Sequence, residues 1–229
     1  MSIELTNANL ISNVYDKILP DQNKFELVYT APENFGYVLL DKTENTIYIP
    51  IRGTENPHDL VTDADIILHE HDGGKVVAGG LEQYYKLRAG FLKTFRFIRN
   101  NYDKFSADEF TINISGHSLG TWLAFELAKD IYFSTANNIV LNTMLFAPPN
   151  YCDHDYLNTL YKLCDKSFLD RIKSYAAIPD IIPKMPLGLH QVAPINFIVF
   201  NNVNHFNLPE QHEIKSYIQY FQEIENAKK

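Results

Sequence analysis

Thr111-Ile112-Asn113-Ile114-Ser115-Gly116-His117-Ser118-Leu119-Gly120 is the stretch that decides how this chain reads. A short apolar run, Phe110–Ser115, leads into G-x-S-x-G, and Leu119–Tyr132 after it has the spacing of a helix. A serine on a sharp strand-to-helix turn is lifted above the sheet at the amino end of the helix. Glycines on either side permit so tight a turn. The helix dipole and the free N–H groups of its first turn then favour negative charge beside Ser118. The bare pattern is short and recurs by chance. Its place between a strand and a helix makes Ser118 a candidate nucleophile.

Upstream of this turn, Phe25–Thr30, Phe35–Leu40 and Thr46–Ile51 read as strands, the last two flanking a hairpin loop at 41–45. Leu10, Ile11, Val14, Tyr15, Ile18 and Leu19 recur at helical spacing and predict an amphipathic opening helix. Glu55–Gly80 is polar and acidic, and its paired glycines mark it as loop-rich. Leu81–Tyr102 reads as a long helix. Downstream, strands at Ile139–Phe146, Ile172–Ala177 and Ile195–Phe200 alternate with helices at Asp153–Leu163 and Glu210–Glu225. Such alternation predicts an α/β fold: a mostly parallel sheet covered on both faces, in one domain over residues 1–229. A sheet of this kind carries its site at the carboxyl ends of its strands.

Composition narrows the partners. Of 229 residues, 20 are Lys or Arg and 28 are Asp or Glu, for a formal charge of −8. With no basic block, the chain is a poor candidate for gripping nucleic acid or an anionic membrane by bulk electrostatics. No apolar run is long enough for a membrane span, and residues 1–20 lack the pattern of a secretory signal. The two cysteines, Cys152 and Cys164, would lie about 18 Å apart on one helix, too far to bridge. An intracellular, cytoplasmic protein is the expectation.

A serine nucleophile needs a base and a carboxylate that orients it. Asp180 is best placed as the carboxylate, a few residues past the strand Ile172–Ala177 and hence at the crevice edge. The histidines that follow it are His190, His205 and His212. His212 is favoured because the amphipathic helix behind it, with Ile214, Tyr217, Ile218 and Phe221, would anchor it; His205 and His190 remain alternatives. Two N–H donors are required for an oxyanion. Leu119 would supply one, and Thr54, in Arg52-Gly53-Thr54 after a strand, the other with its N–H and hydroxyl.

Several of these segments together resemble the class 3 lipase family, the α/β-hydrolases related to fungal triacylglycerol lipases. Tyr48–Thr54 resembles its strand ending in R-G-T or R-G-S, Asp59–Asp63 its D-W-x-x-D lid segment, and Gly90-Phe91 the start of its long helix. Ser115–Gly120 resembles its T-G-H-S-L-G elbow, Met144–Asn150 the strand and turn that follow, and Asp180–Pro186 its D-x-V-P-x-x-P. His212 with Tyr217 resembles the H-x-x-x-x-Y of some members, and Leu187–Gln191 resembles G-x-x-H, which makes His190 the histidine outside the triad. The chain departs from the family pattern at Thr121, Leu60, Arg88 and Ala147.

The resemblance implies an α/β-hydrolase fold and hydrolysis of carboxylic esters by a Ser118–His212–Asp180 triad through an acyl-enzyme, with no cofactor. Glu55, Asp59, Asp63 and Asp65 fall over the proposed site entrance and would disfavour anionic groups there, so a neutral or zwitterionic lipid ester, or a small ester, is the expected substrate, with transient contact to a lipid surface and a monomeric chain. A non-catalytic binding module on the same fold, or a thioesterase or peptidase using the same triad, are the rival readings. The lid candidate, 55–66, has few large apolar residues (Leu60, Val61 and Ile66), so weak interfacial activation is expected. His69-Glu70-His71-Asp72 reads as a solvated loop rather than a metal site, and the lone Trp122 as core.

Overall fold

Parallel pairing in this protein brings strand ends level with one another, and that alignment builds the site. The computed structural model describes residues 1–54, 67–105, 109–135, 139–200 and 208–228. Seven strands form the main sheet: β1 (Phe25–Thr30), β2 (Tyr37–Asp41), β3 (Thr46–Ile51), β6 (Phe110–His117), β7 (Ile139–Phe146), β8 (Ile172–Ala177) and β9 (Ile195–Ile198). They lie side by side in that order, antiparallel from β1 to β3 and parallel from β3 to β9. Ile51 pairs with Gly116, and His117 with Phe146, so the ends of β3, β6 and β7 open onto one crevice. A separate hairpin joins β4 (Leu68–His71) to β5 (Gly74–Val77).

The helices are α1 (Ile3–Tyr15), α2 (Ala78–Asn101), α3 (Gly120–Ser134), α4 (His154–Leu163), α5 (Lys166–Leu169), α6 (Leu208–His212) and α7 (Ile214–Ala227). Side chains alternate along β6 and β7, so one strand feeds two cores. Ile112, Ile114 and Leu145 pack under α2, α3 and α4 with Leu81, Phe91 and Phe125. Met144 and Phe146 pack on the other face with Leu5 and Ile11 of α1 and Tyr217 and Phe221 of α7. Burying one such side chain contributes about 1.5–3 kcal/mol. No helix among the described residues is long and apolar enough to cross a membrane.

Three expectations are corrected. The opening helix stops at Tyr15, and Ile18 and Leu19 lie exposed beyond it. Lys17 takes a positive φ of 56°, and the N–H groups of Lys17 and Ile18 fold back onto the carbonyls of Val14 and Asn13. That is the left-handed helix ending, which overrides the apolar spacing. Within the stretch read as loop, Asp72 and Gly73 both have positive φ and close the β4–β5 hairpin as a two-residue turn. The C-terminal helix is two helices, because Glu213 leaves helical geometry at φ −67°, ψ 138°. The lid candidate 55–66 and His205 lie outside the described residues.

Candidate active site

Ser118 stands at the turn between β6 and α3 with φ +54°, in the left-handed region. For a residue other than glycine this costs roughly 1–3 kcal/mol and persists only where its surroundings hold it. Here its N–H donates to the Phe146 carbonyl at 2.9 Å. Its own carbonyl accepts the N–H of Thr121 at 2.9 Å and the Thr121 hydroxyl at 2.6 Å. A Cβ at position 120 would lie 2.4 Å from the Arg52 carbonyl oxygen, so only glycine lets α3 start this close to the end of β3. Leu119 is the N-cap of α3, with its N–H at the open amino end of the helix.

Asp180 follows β8 by one turn, its N–H bonded to the Ala177 carbonyl at 3.1 Å. Its Oδ1 accepts the Ile182 N–H at 3.0 Å, which fixes the carboxylate plane. Its Oδ2 lies 2.7 Å from His212 Nδ1. A carboxylate only accepts, so Nδ1 carries the proton and Nε2 presents a lone pair. That lone pair faces Ser118 Oγ at 2.8 Å. Ser118, Asp180 and His212 are 1%, 2% and 3% exposed, so this row of bonds is shielded from water. The arrangement can move the Ser118 proton to Nε2 and hold the resulting imidazolium against a buried carboxylate.

Thr54 lies beyond β3. The strand end before it is pinned by the buried Arg52 guanidinium, which donates to the carbonyls of Asn34, Glu33 and Gly53 at 2.9, 2.9 and 2.8 Å. The Thr54 hydroxyl is buried and has no hydrogen-bond partner among the described residues. A buried donor without a partner is costly, and here it is a donor open to a bound group.

Of the other residues singled out, His190 sits apart from this row. Its N–H bonds to the Cys152 carbonyl at 2.8 Å, and its ring packs edge-on to His154. Trp122 is core, 3% exposed, its indole N–H donating to the Pro149 carbonyl at 3.1 Å. Cys152 and Cys164 are buried free thiols, and burial raises both above the usual thiol range.

His71 and Asp72 are not in a solvated loop: they end the β4–β5 hairpin against α3 and meet Glu126 and Lys129 there. His71, Asp72 and Glu126 offer ligand atoms within 4.8 Å of one another. The Lys129 ammonium, 2.7 Å from each carboxylate, already supplies the positive charge among them. Two residues that adjoin the site carried no catalytic signal in the sequence. Tyr15 is a helix-end tyrosine, and His117, although it matches the histidine of the family's T-G-H-S-L-G elbow, fills the unspecified position of the bare G-x-S-x-G pattern.

The model of the family described as lipase (class 3) matches residues 48–190, more than half of the chain. A lipase from Rhizopus oryzae is 31% identical over 103 residues, 42% of this chain and 24% of its own length. Phospholipase A1-IIalpha from Arabidopsis thaliana is 23% identical over 171 residues, 63% of this chain and 40% of its own. The chain thus spans less than half the length of these relatives. Among solved structures, the triacylglyceride lipase of Rhizomucor miehei superposes with a TM-score of 0.66 at 19% identity, over 86% of this chain and 78% of that one. A triacylglycerol lipase whose catalytic centre is formed by a serine protease triad superposes with a TM-score of 0.70 at 18% identity, over 93% and 91%. The fold is therefore that of the α/β-hydrolase lipases, and the chain belongs to the class 3 lipase family.

Proposed function

We propose that this protein hydrolyses carboxylic esters of lipids, with Ser118 as nucleophile, His212 as general base and Asp180 as its orienting carboxylate. The observation that carries the reading is the row Ser118 Oγ–His212 Nε2 at 2.8 Å and His212 Nδ1–Asp180 Oδ2 at 2.7 Å. In this mechanism His212 takes the hydroxyl proton as Oγ attacks the ester carbonyl, and Asp180 stabilises the imidazolium. The tetrahedral oxyanion is held by the N–H of Leu119, the N–H of Thr54 and the unpaired Thr54 hydroxyl. His212 then protonates the leaving alcohol. Water activated by the same base releases the acid from Ser118.

The substrate class we infer is a neutral or zwitterionic ester, on the formal charge of −8 and the lipases and phospholipase A1 among the relatives. Turnover of an ester panel of graded acyl length, with neutral and anionic members at low and high salt, tests it. Neutral esters are expected to be preferred at low salt, with the gap narrowing as salt rises. Turnover of none of the esters overturns the activity, and preference for the anionic ones overturns the substrate class.

A further inference from the structure

We propose that Tyr15 and His117 are positioning residues for this reaction. They tie the oxyanion side of the site to the backbone of the base through one directed row of hydrogen bonds. The inference rests on the ester-hydrolase reading of the same site.

The direction of each bond follows from its partners. His117 Nε2 lies 2.6 Å from the His212 carbonyl oxygen, which only accepts, so this nitrogen carries the proton. Nδ1 is then a lone pair, and the Tyr15 hydroxyl, 2.8 Å away, donates to it. The Tyr15 oxygen in turn accepts the Gly53 N–H at 2.8 Å. The row runs from Gly53 through Tyr15 and His117 to His212. One end is the chain neighbour of Thr54, the other carries the base, and the middle is the chain neighbour of Ser118. Four segments distant in sequence are fixed by three bonds: the end of β3, the last residue of α1, the elbow and the end of α6.

Several features make this arrangement more than packing. α6 ends at His212 and Glu213 turns away, so the His212 carbonyl is not taken up by a continuing helix. Burial, and then the neighbouring His212, hold the His117 pKa well below the usual histidine range. The ring therefore stays neutral and keeps one donor and one acceptor, as the row requires; protonation would turn Nδ1 into a donor facing a donor. A Cβ at position 53 would stand 2.8 Å from the His117 carbonyl and 3.0 Å from the Tyr15 hydroxyl, so this close approach needs glycine. The Tyr15 ring also packs edge-on to His117, at 5.6 Å between centroids, so phenylalanine there keeps the contact and loses only the bonds.

The test compares wild type with Tyr15→Phe, His117→Gln, His117→Leu and, as a control, Tyr102→Phe, whose hydroxyl bonds Glu26 elsewhere. The readouts are kcat and KM on a water-soluble short-chain ester, the rate of fluorophosphonate labelling at Ser118, and the thermal midpoint. Tyr15→Phe is expected to lower kcat and the labelling rate about tenfold while KM changes less than about twofold, as misplacement of a reacting group does. His117→Leu loses more, and His117→Gln, which keeps an N–H toward the His212 carbonyl, recovers part of the loss. Tyr102→Phe is unchanged. Wild-type kcat and labelling in Tyr15→Phe, whatever its thermal midpoint, overturns the inference. So does a loss confined to KM, or His117→Gln no better than His117→Leu at equal folded fraction. A folded wild type that reacts with neither ester nor fluorophosphonate removes the parent reading, and the inference with it.

Discussion

Thr54 carries one of several buried side-chain groups that have no hydrogen-bond partner among the described residues, and it follows Gly53, which abuts Ser118. Leaving such a donor unsatisfied costs stability, so its replacement by valine, which has the same shape, should leave folding unharmed or slightly improved. If the hydroxyl serves an oxyanion, the same change removes a transition-state donor, a loss of about 10²–10³ in kcat. Thr54→Val is therefore expected to separate activity from stability. Ester turnover and the thermal midpoint measured on one preparation check this, and full activity in the variant removes Thr54 from the mechanism. Thr54, Leu119, Ser118, Asp180 and His212 were all open to sequence reasoning, because each lies next to a strand end or helix start that the pattern reveals. Tyr15 was not. Its hydroxyl meets His117 because α1 packs against β3 and β6, and nothing local to Tyr15 encodes that packing.

Among the elements, α3 does more than carry the elbow. Two turns into it, the fully buried Glu126 accepts the hydroxyls of Tyr151 and Tyr156 at 2.9 and 2.7 Å. It also accepts His71 Nε2 at 3.1 Å and pairs with Lys129 at 2.7 Å. Burial alone would raise the Glu126 carboxyl, but the His71 bond and the Lys129 ammonium outweigh it and bring its pKa from 4.5 down to about 2. A carboxyl whose folded pKa is depressed contributes stability that is complete above the unfolded pKa and fades as pH falls toward the folded one. The wild type should therefore lose this contribution between about pH 4.5 and pH 2. Glu126→Gln is expected to cost about 1–3 kcal/mol near neutral pH, since the Lys129 ammonium keeps Asp72 but loses its buried counter-charge, and to flatten that acid limb. Urea unfolding at a series of pH values measures both, and an unchanged acid limb would show that Glu126 is not the titrating group. The hairpin that delivers His71 and Asp72 was encoded in the sequence, since Asp-Gly is a hairpin turn signal. The break at Glu213 has no glycine or proline to mark it, and follows from the way His212 is held to the crevice while α7 packs on Phe146.

At the scale of the molecule, the site exists only because the sheet aligns distant segments. Ser118 and His212 are 94 residues apart, and His212 and Asp180 are 32 apart. The alternation of helices and strands was enough to read a parallel sheet and the end of it at which Ser118, Asp180 and His212 meet. It did not reveal which helices share a face, because α1 and α7, from opposite ends of the chain, pack together on the Met144–Phe146 face by tertiary contact alone. The central claim, that these distant residues converge on an activated serine, is met most directly by mapping a fluorophosphonate adduct by mass spectrometry. The account predicts an adduct on Ser118 in the folded wild type, none at that position in Ser118→Ala or in urea-unfolded chain, and labelling slowed by orders of magnitude in His212→Ala. A folded wild type with no adduct on Ser118, or a His212→Ala variant labelled as fast as wild type, would contradict it.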